Sequence, residues 1–199
     1  MTIYDLKPAF QNLLRPLVRI FHKAHITPNQ ITVITCLFSC AYGVALYLNI
    51  ENKFMLLSVP FFFLIRMGLN AIDGILAKEF KLTSKLGAIL NEITDVISDV
   101  FLYMAFAIHP LLDTKLVIAM SFLAILTEMT GVSALHIGSQ RRFEGPMGKS
   151  DRAFIISLLA LLLAYSSLEE SFFCYYYYLI NFTLILTVIN RVRKAVMVN

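Results

Sequence analysis

Apolar and polar residues follow one another along this chain in long blocks. Six apolar stretches lie near residues 30–50, 54–77, 84–108, 116–137, 152–168 and 171–190. Each is close to the ~20 residues a helix needs to cross a bilayer. Short polar links separate them and no soluble domain is left over. The predicted fold is an all-α polytopic membrane protein with six transmembrane helices. Ahead of them, Leu6, Phe10, Leu13, Leu14, Leu17 and Phe21 form one stripe over residues 4–23, with Arg15, Arg19 and Lys23 on another face. That is the pattern of an amphipathic juxtamembrane helix lying at the bilayer surface. Pro16 is expected to bend it. The chain reads as one membrane domain, 1–199: an interfacial helix over 1–25 and a six-helix bundle over 26–199. Its N-terminus does not read as a signal peptide, because charges are interleaved with apolar residues instead of preceding them.

Composition agrees, with 58% hydrophobic and 15% charged residues, where a soluble domain holds about a quarter charged. Charge placement adds orientation. The first segment, the 78–85 loop, the 141–152 loop and the tail carry fourteen lysines and arginines, the alternate loops carry Lys53 and Lys115, and Arg66 sits inside a helix. An asymmetry of this size places both termini and the even loops in the cytoplasm. The net charge of +4 then reflects topology and anionic lipid, and nucleic acid is not needed as a partner. Cys36, Cys40 and Cys174 lie in apolar stretches and read as small packing residues. The four histidines show no metal-ligand spacing. Thr27, Pro28 and Gln30 suit the N-cap, N1 and N3 positions of a helix start. Tyr175 to Tyr178 read as an interfacial aromatic belt.

The exceptions to apolarity gather in two stretches. Arg66, Asn70, Asp73, Gly74, Ala77 and Lys78 share one face of the second, and Ser84, Gly87, Asn91, Glu92, Asp95, Ser98 and Asp99 one face of the third. The link between them is short, so these helices are expected to be antiparallel neighbours whose polar faces meet at one depth. Glycine and alanine on both faces would permit close approach. Ionisable groups inside a membrane are costly and mark functional sites by default. A cluster of oxygen donors suits a hard divalent cation, Mg²⁺ or Mn²⁺. Polar groups that merely hold helices together are more often lone Asn or Ser than a cluster with three acids.

In order, Asn70, Asp73-Gly74, Ala77-Lys78, eight residues, Gly87, Asn91 and Asp95 resemble the signature of the CDP-alcohol phosphotransferases, D-x2-D-G-x2-A-R-x8-G-x3-D-x3-D, with every spacing kept. Pro28, Asn29 and Thr32 resemble that family's start of the first spanning helix. The resemblance covers the whole chain and implies a divergent bacterial member, a homodimer in the bacterial cytoplasmic membrane with its active site facing the cytoplasm. By resemblance, one or two Mg²⁺ or Mn²⁺ ions are held at Asn70, Asp73, Asn91 and Asp95, and Asp95 is also the base. Gly74, Lys78, Ser84, Asn29 and Thr32 then contact the CDP part of the donor. The departures are amides at the first and third carboxylate positions and lysine in place of arginine. Asn brings oxygen without charge, so Glu92 and Asp99 are candidates to supply it, Glu92 as a further ligand. Gly148-Lys149-Ser150-Asp151-Arg152 corresponds to a family Gly-Lys element. Lys149 and Arg152, with Arg141 and Arg191 as further candidates, would form a basic cleft for the acceptor. Glu128, with Thr127 and Thr130, is expected to line the same cavity or to serve a helix or subunit contact.

The implied reaction transfers a phosphatidyl group from CDP-diacylglycerol to the hydroxyl of a small alcohol, releasing CMP in phospholipid biosynthesis. The basic cleft suggests a phosphorylated acceptor resembling glycerol 3-phosphate. The alternative is a catalytically impaired relative that binds CDP-lipid without turnover, and the two amides are its support. A proton- or ion-coupled transporter fits less well, because no inverted repeat is visible and the acids gather toward one side.

Overall fold

The computed structural model describes residues 3–165 and 168–197, with side chains from Phe10 onward. Among these residues all regular structure is helical. The elements are α1 (Ile3–Lys23), α2 (Pro28–Leu48), α3 (Lys53–Glu79), α4 (Lys85–Met104), α5 (Thr114–Ser133), α6 (Lys149–Tyr165) and α7 (Glu170–Met197). Short 3₁₀ turns continue α4 and α5, over Ala105–Ile108 and Ala134–Ile137. The side chain of Leu6 in the expected stripe, and residues 166–167 of the expected fifth stretch, lie outside what is described.

Local chemistry sets the helix starts. At α2 the Thr27 hydroxyl accepts from the Gln30 amide at 3.3 Å and the Gln30 side chain accepts from the Thr27 amide at 2.8 Å. Two otherwise unpaired donors are satisfied reciprocally. Asn52 and Ser84 cap α3 and α4 through their side-chain oxygens. Pro16 does not end α1, and Pro60 lies inside α3.

Among the described residues four helices are long and apolar enough to cross a membrane: α2, α3, α5 with its 3₁₀ turn, and α7. The other two expected spans are set apart for physical reasons. Helix α4 carries Glu92, Asp95 and Asp99 among its apolar residues, and α6 has 17 residues. Large apolar side chains such as Ile34, Leu37, Phe61, Leu64, Phe122 and Leu179 are exposed around the outside. Outward-facing apolar residues suit a hydrocarbon surround. Inside, one core joins residues of α2 through α7, among them Leu46, Phe62, Leu102, Met120, Ile156 and Leu184. Helix α1 docks on α3 through Leu14 and Val18, against Ile31, Ile72, Ile75 and Leu76. Leu13 and Leu17 of its stripe stay exposed.

Packing corrects one expectation. Helices α3 and α4, consecutive in the chain, hardly approach each other along their backbones; α2 packs on both, and α3 packs on α6. The close approaches allowed by glycine are between α2 and α4. A Cβ on Gly43 would stand 2.7 Å from the Phe101 carbonyl oxygen, and one on Gly87 would stand 2.6 Å from the Asn29 side chain. The polar faces of α3 and α4 therefore do not interlock. They face one another across a cleft that long side chains bridge.

Candidate active site

The cleft has two tiers. Its mouth is built from α2, α3, α4 and the start of α6. Thr32 donates from its hydroxyl to Asp73 Oδ2 at 2.8 Å. Asn70 donates from its amide nitrogen to Asp95 Oδ1 at 3.2 Å, and Lys149 Nζ stands 2.5 Å from the same oxygen. Asn91 precedes Asp95 by one turn on the same face of α4. The signature residues of two helices thus converge although the helices do not pack. A Cβ built on Gly74 would meet no atom within 4 Å, so the space over Gly74, next to Asp73 in α3, is open. On the far side Asn29 lies against Gly87, and Ser84 accepts from the Gly87 amide at 2.9 Å. Lys78 is exposed at the end of α3.

The second tier is a lattice of ion pairs deeper in the bundle. Arg66 Nη1 holds Asp99 Oδ1 at 2.6 Å, and its Nη2 donates to the Asp95 carbonyl at 3.2 Å. Arg152 donates to Asp99 Oδ2 at 3.1 Å, Glu128 Oε1 at 2.9 Å and Thr127 Oγ1 at 3.0 Å, with Nε 3.4 Å from the Tyr103 hydroxyl. Arg191 donates to the Thr127 carbonyl and lies 3.7 Å from Glu128 Oε2. Arg141 joins Glu92 at 2.5 Å to Glu128 at 3.3 Å. Buried charge persists only when paired and hydrogen-bonded in this way.

The residues expected at the site are thus distributed over both tiers. Asn70, Asp73, Asp95, Thr32 and Lys149 meet at the mouth. Arg152 has no exposed surface and Arg191 has 2%, so both lie in the lattice beneath the cleft. Glu92 and Asp99, the candidates to replace missing ligand charge, are each held by arginine. Glu128 joins Arg141, Arg152 and Arg191, which realises the helix-contact reading inside the site itself. Arg66, which the sequence places on the polar face of α3, takes the role of clamping Asp99. Tyr103 and Thr127 complete the lattice; Tyr103 gave no signal in the sequence, because its partner Arg152 is 49 residues away.

Among the described residues, no three His, Cys, Asp or Glu side chains form a ready-made metal cluster. The mouth nevertheless fits a hard divalent cation. Its donors are carboxylate and amide oxygens, and the bonds just described fall on Asp73 Oδ2 and Asp95 Oδ1, outside the second oxygen of each. Mg²⁺ and Mn²⁺ take such donors.

Helical bundle and two-tiered acidic cleft define a polytopic membrane protein with a polar site on its inner helix faces. The chain belongs to the CDP-alcohol phosphatidyltransferase family, whose sequence profile matches residues 25–189. It is 41% identical over 199 residues to an inner membrane protein of Escherichia coli K12, YnbA, covering all of this chain and 98% of that one. It is 34% identical over 131 residues to an uncharacterized protein of Aquifex aeolicus, covering 64% of this chain and 63% of that one. The fold matches Mycobacterium tuberculosis phosphatidylinositol phosphate synthase, PgsA1. With CDP-DAG bound to that protein, the TM-score is 0.77 at 17% identity, covering 94% of both chains. In its complex with manganese and citrate, the TM-score is 0.76, covering 92% and 89%. At that identity the likeness is one of fold.

Proposed function

We propose that this integral membrane protein transfers the phosphatidyl group of CDP-diacylglycerol to the hydroxyl of a small alcohol and releases CMP. The observation that carries the reading is the convergence of the Asp73 and Asp95 neighbourhoods, from two helices that hardly touch along their backbones, with open space over Gly74. Family membership and the fold shared with a synthase crystallised with CDP-DAG support it. Asn70, Asp73, Asn91 and Asp95 would hold Mg²⁺ or Mn²⁺. When bound, such an ion neutralises diphosphate charge and favours departure of the phosphate leaving group.

The chain's own residues do the rest. Asn29, Gly74, Lys78 and Ser84 border the CDP moiety, and Lys78 offers a point charge to phosphate. Thr32 orients Asp73. Asp95 takes the proton of the acceptor hydroxyl as general base, with Asn70 and Lys149 fixing its carboxylate. The amides at 70 and 91 mark the chain as a divergent member that keeps the base. The charge asymmetry between loops supports six spans, α2 to α7, with both termini and the cleft on the cytoplasmic side. Residues 1–199 form one domain in the bacterial cytoplasmic membrane, and the family resemblance supports a homodimer.

The test is CMP release by purified protein from CDP-diacylglycerol with a panel of alcohols, in Mg²⁺, Mn²⁺ or chelator. Release that requires metal and an acceptor is expected. Binding of CDP-lipid without release under any condition would overturn the reading in favour of a non-catalytic lipid binder.

A further inference from the structure

Each basic residue expected to form the acceptor cleft, and Arg66 beside them, already has an anionic partner. Arg66 is paired with Asp99, Arg141 with Glu92, Lys149 with Asp95, and Arg152 and Arg191 share Glu128. Around the cleft, five cations therefore stand beside five carboxylates, counting Asp73, which among the described residues has Thr32 but no ion pair. The deepest cations are also sealed, since Arg152 is fully buried. What borders Asp95 at the mouth is Lys149, 35% exposed, together with the part-exposed Glu92 and Arg141. That wall alternates in sign and offers no unpaired cation.

We propose that the acceptor at this site carries no phosphate group and is a net-uncharged small alcohol, a polyol or a zwitterion, with Glu128 as the residue that sets this preference. The inference rests on the transferase reading above and narrows its substrate. The charges of the site nearly close without the acceptor. Five cations balance five carboxylates, and one divalent ion with the exposed Lys78 meets the two charges of the donor's diphosphate, a surplus of one against the two charges of a phosphomonoester. A phosphomonoester would add about two more negative charges at neutral pH. To bind it, Arg141 would have to leave Glu92, or Lys149 leave Asp95. The first move leaves the part-exposed Glu92 beside a dianion without its nearest cation, and the second takes from Asp95 its nearest cation while Arg66 stays 3.8 Å away; both set like charges side by side at a cost. A neutral polyol or a zwitterion meets the mixed wall with hydrogen bonds alone.

In the transfer itself the acceptor oxygen forms a bond to the lipid-side phosphorus. The bridging phosphorus–oxygen bond breaks, its electron pair leaves with CMP, and the acceptor proton passes to Asp95 and then to water. The product is a finished phosphodiester lipid, with no phosphomonoester for a later phosphatase to remove.

The deciding experiment uses the full-length protein in detergent or lipid, CDP-diacylglycerol and divalent metal. CMP release is followed with matched acceptors: glycerol and glycerol 3-phosphate, inositol and inositol phosphate, serine and phosphoserine. The best acceptor is expected to be an unphosphorylated member, ahead of its phosphorylated counterpart by about tenfold or more in kcat/KM. A phosphorylated acceptor ahead of its counterpart would overturn this inference and leave the transferase reading standing. No release with any acceptor would bring down both. In Glu128→Gln, three arginines lose a shared carboxylate, and the ratio is expected to move toward the phosphorylated member. An unchanged ratio in a folded, monodisperse Glu128→Gln protein would remove Glu128 from the assignment. The wild-type comparison stands even where that variant does not fold.

Discussion

Asp95 and Asp99 are one helical turn apart on α4 and carry the same functional group, yet their surroundings are opposite. Asp99 is buried between two guanidinium groups, Arg66 and Arg152, which take both of its oxygens. Asp95 is part-exposed and is met on one oxygen by the Asn70 amide and the Lys149 ammonium, with Arg66 farther off at 3.8 Å. The lower carboxylate has both oxygens held by guanidinium groups, whereas the bonds to the upper one fall on a single oxygen. Depth within the cleft, not residue type, separates the group that holds the bundle together from the group that can exchange a proton.

The contrast is broken most sharply at Asp95. Asp95→Asn keeps the shape and removes the base, so CMP release should fall by about 10²- to 10⁴-fold while thermal unfolding in detergent is nearly unchanged. The lower tier should respond in the reverse order. Arg152→Ala strands Asp99 and Glu128 in the interior and should lower stability by about 3–5 kcal/mol, seen as a lost or strongly shifted unfolding transition before any assay is possible. A milder change sharpens the upper tier. Thr32→Val removes the hydrogen bond that orients Asp73, and activity should drop by about 10- to 100-fold in a protein that still folds.

Two glycines extend the comparison to smaller effects. Gly87→Ala drives a methyl group into Asn29 and should cost about 1–3 kcal/mol of stability. Gly74→Ala points into open space, so stability should stay within about 0.5 kcal/mol while CDP-lipid binding weakens, read by titration of the purified protein. At the periphery, the exposed Arg15–Glu79 pair at 3.1 Å should be worth less than about 1 kcal/mol, and Arg15→Ala should leave unfolding almost unmoved.

Local chemistry made most of the fold readable. The Thr27–Gln30 box and the helices over the apolar blocks and the N-terminal stripe depend on residues near one another in sequence, and the structure keeps them as helices. The pairing of helices was less readable. A short loop between α3 and α4 suggested neighbours, but Gly43 and Gly87 let α2 take the close position against α4. The upper tier of the site followed from the spacing of Asn70, Asp73 and Asp95. The lower tier did not, because Arg152 finds Asp99 53 residues away and Arg191 finds Thr127 64 residues away. No periodicity reports which acid a buried arginine will choose.

Side-by-side assay of wild-type, Asp95→Asn and Asp99→Asn proteins tests the central claim most directly. CMP release from CDP-diacylglycerol and the unfolding transition are measured on the same preparations, with Mg²⁺ and with chelator. The account predicts metal-dependent release by the wild type, a folded but inactive Asp95→Asn protein, and an Asp99→Asn protein whose first loss is stability. Full activity in Asp95→Asn would contradict it.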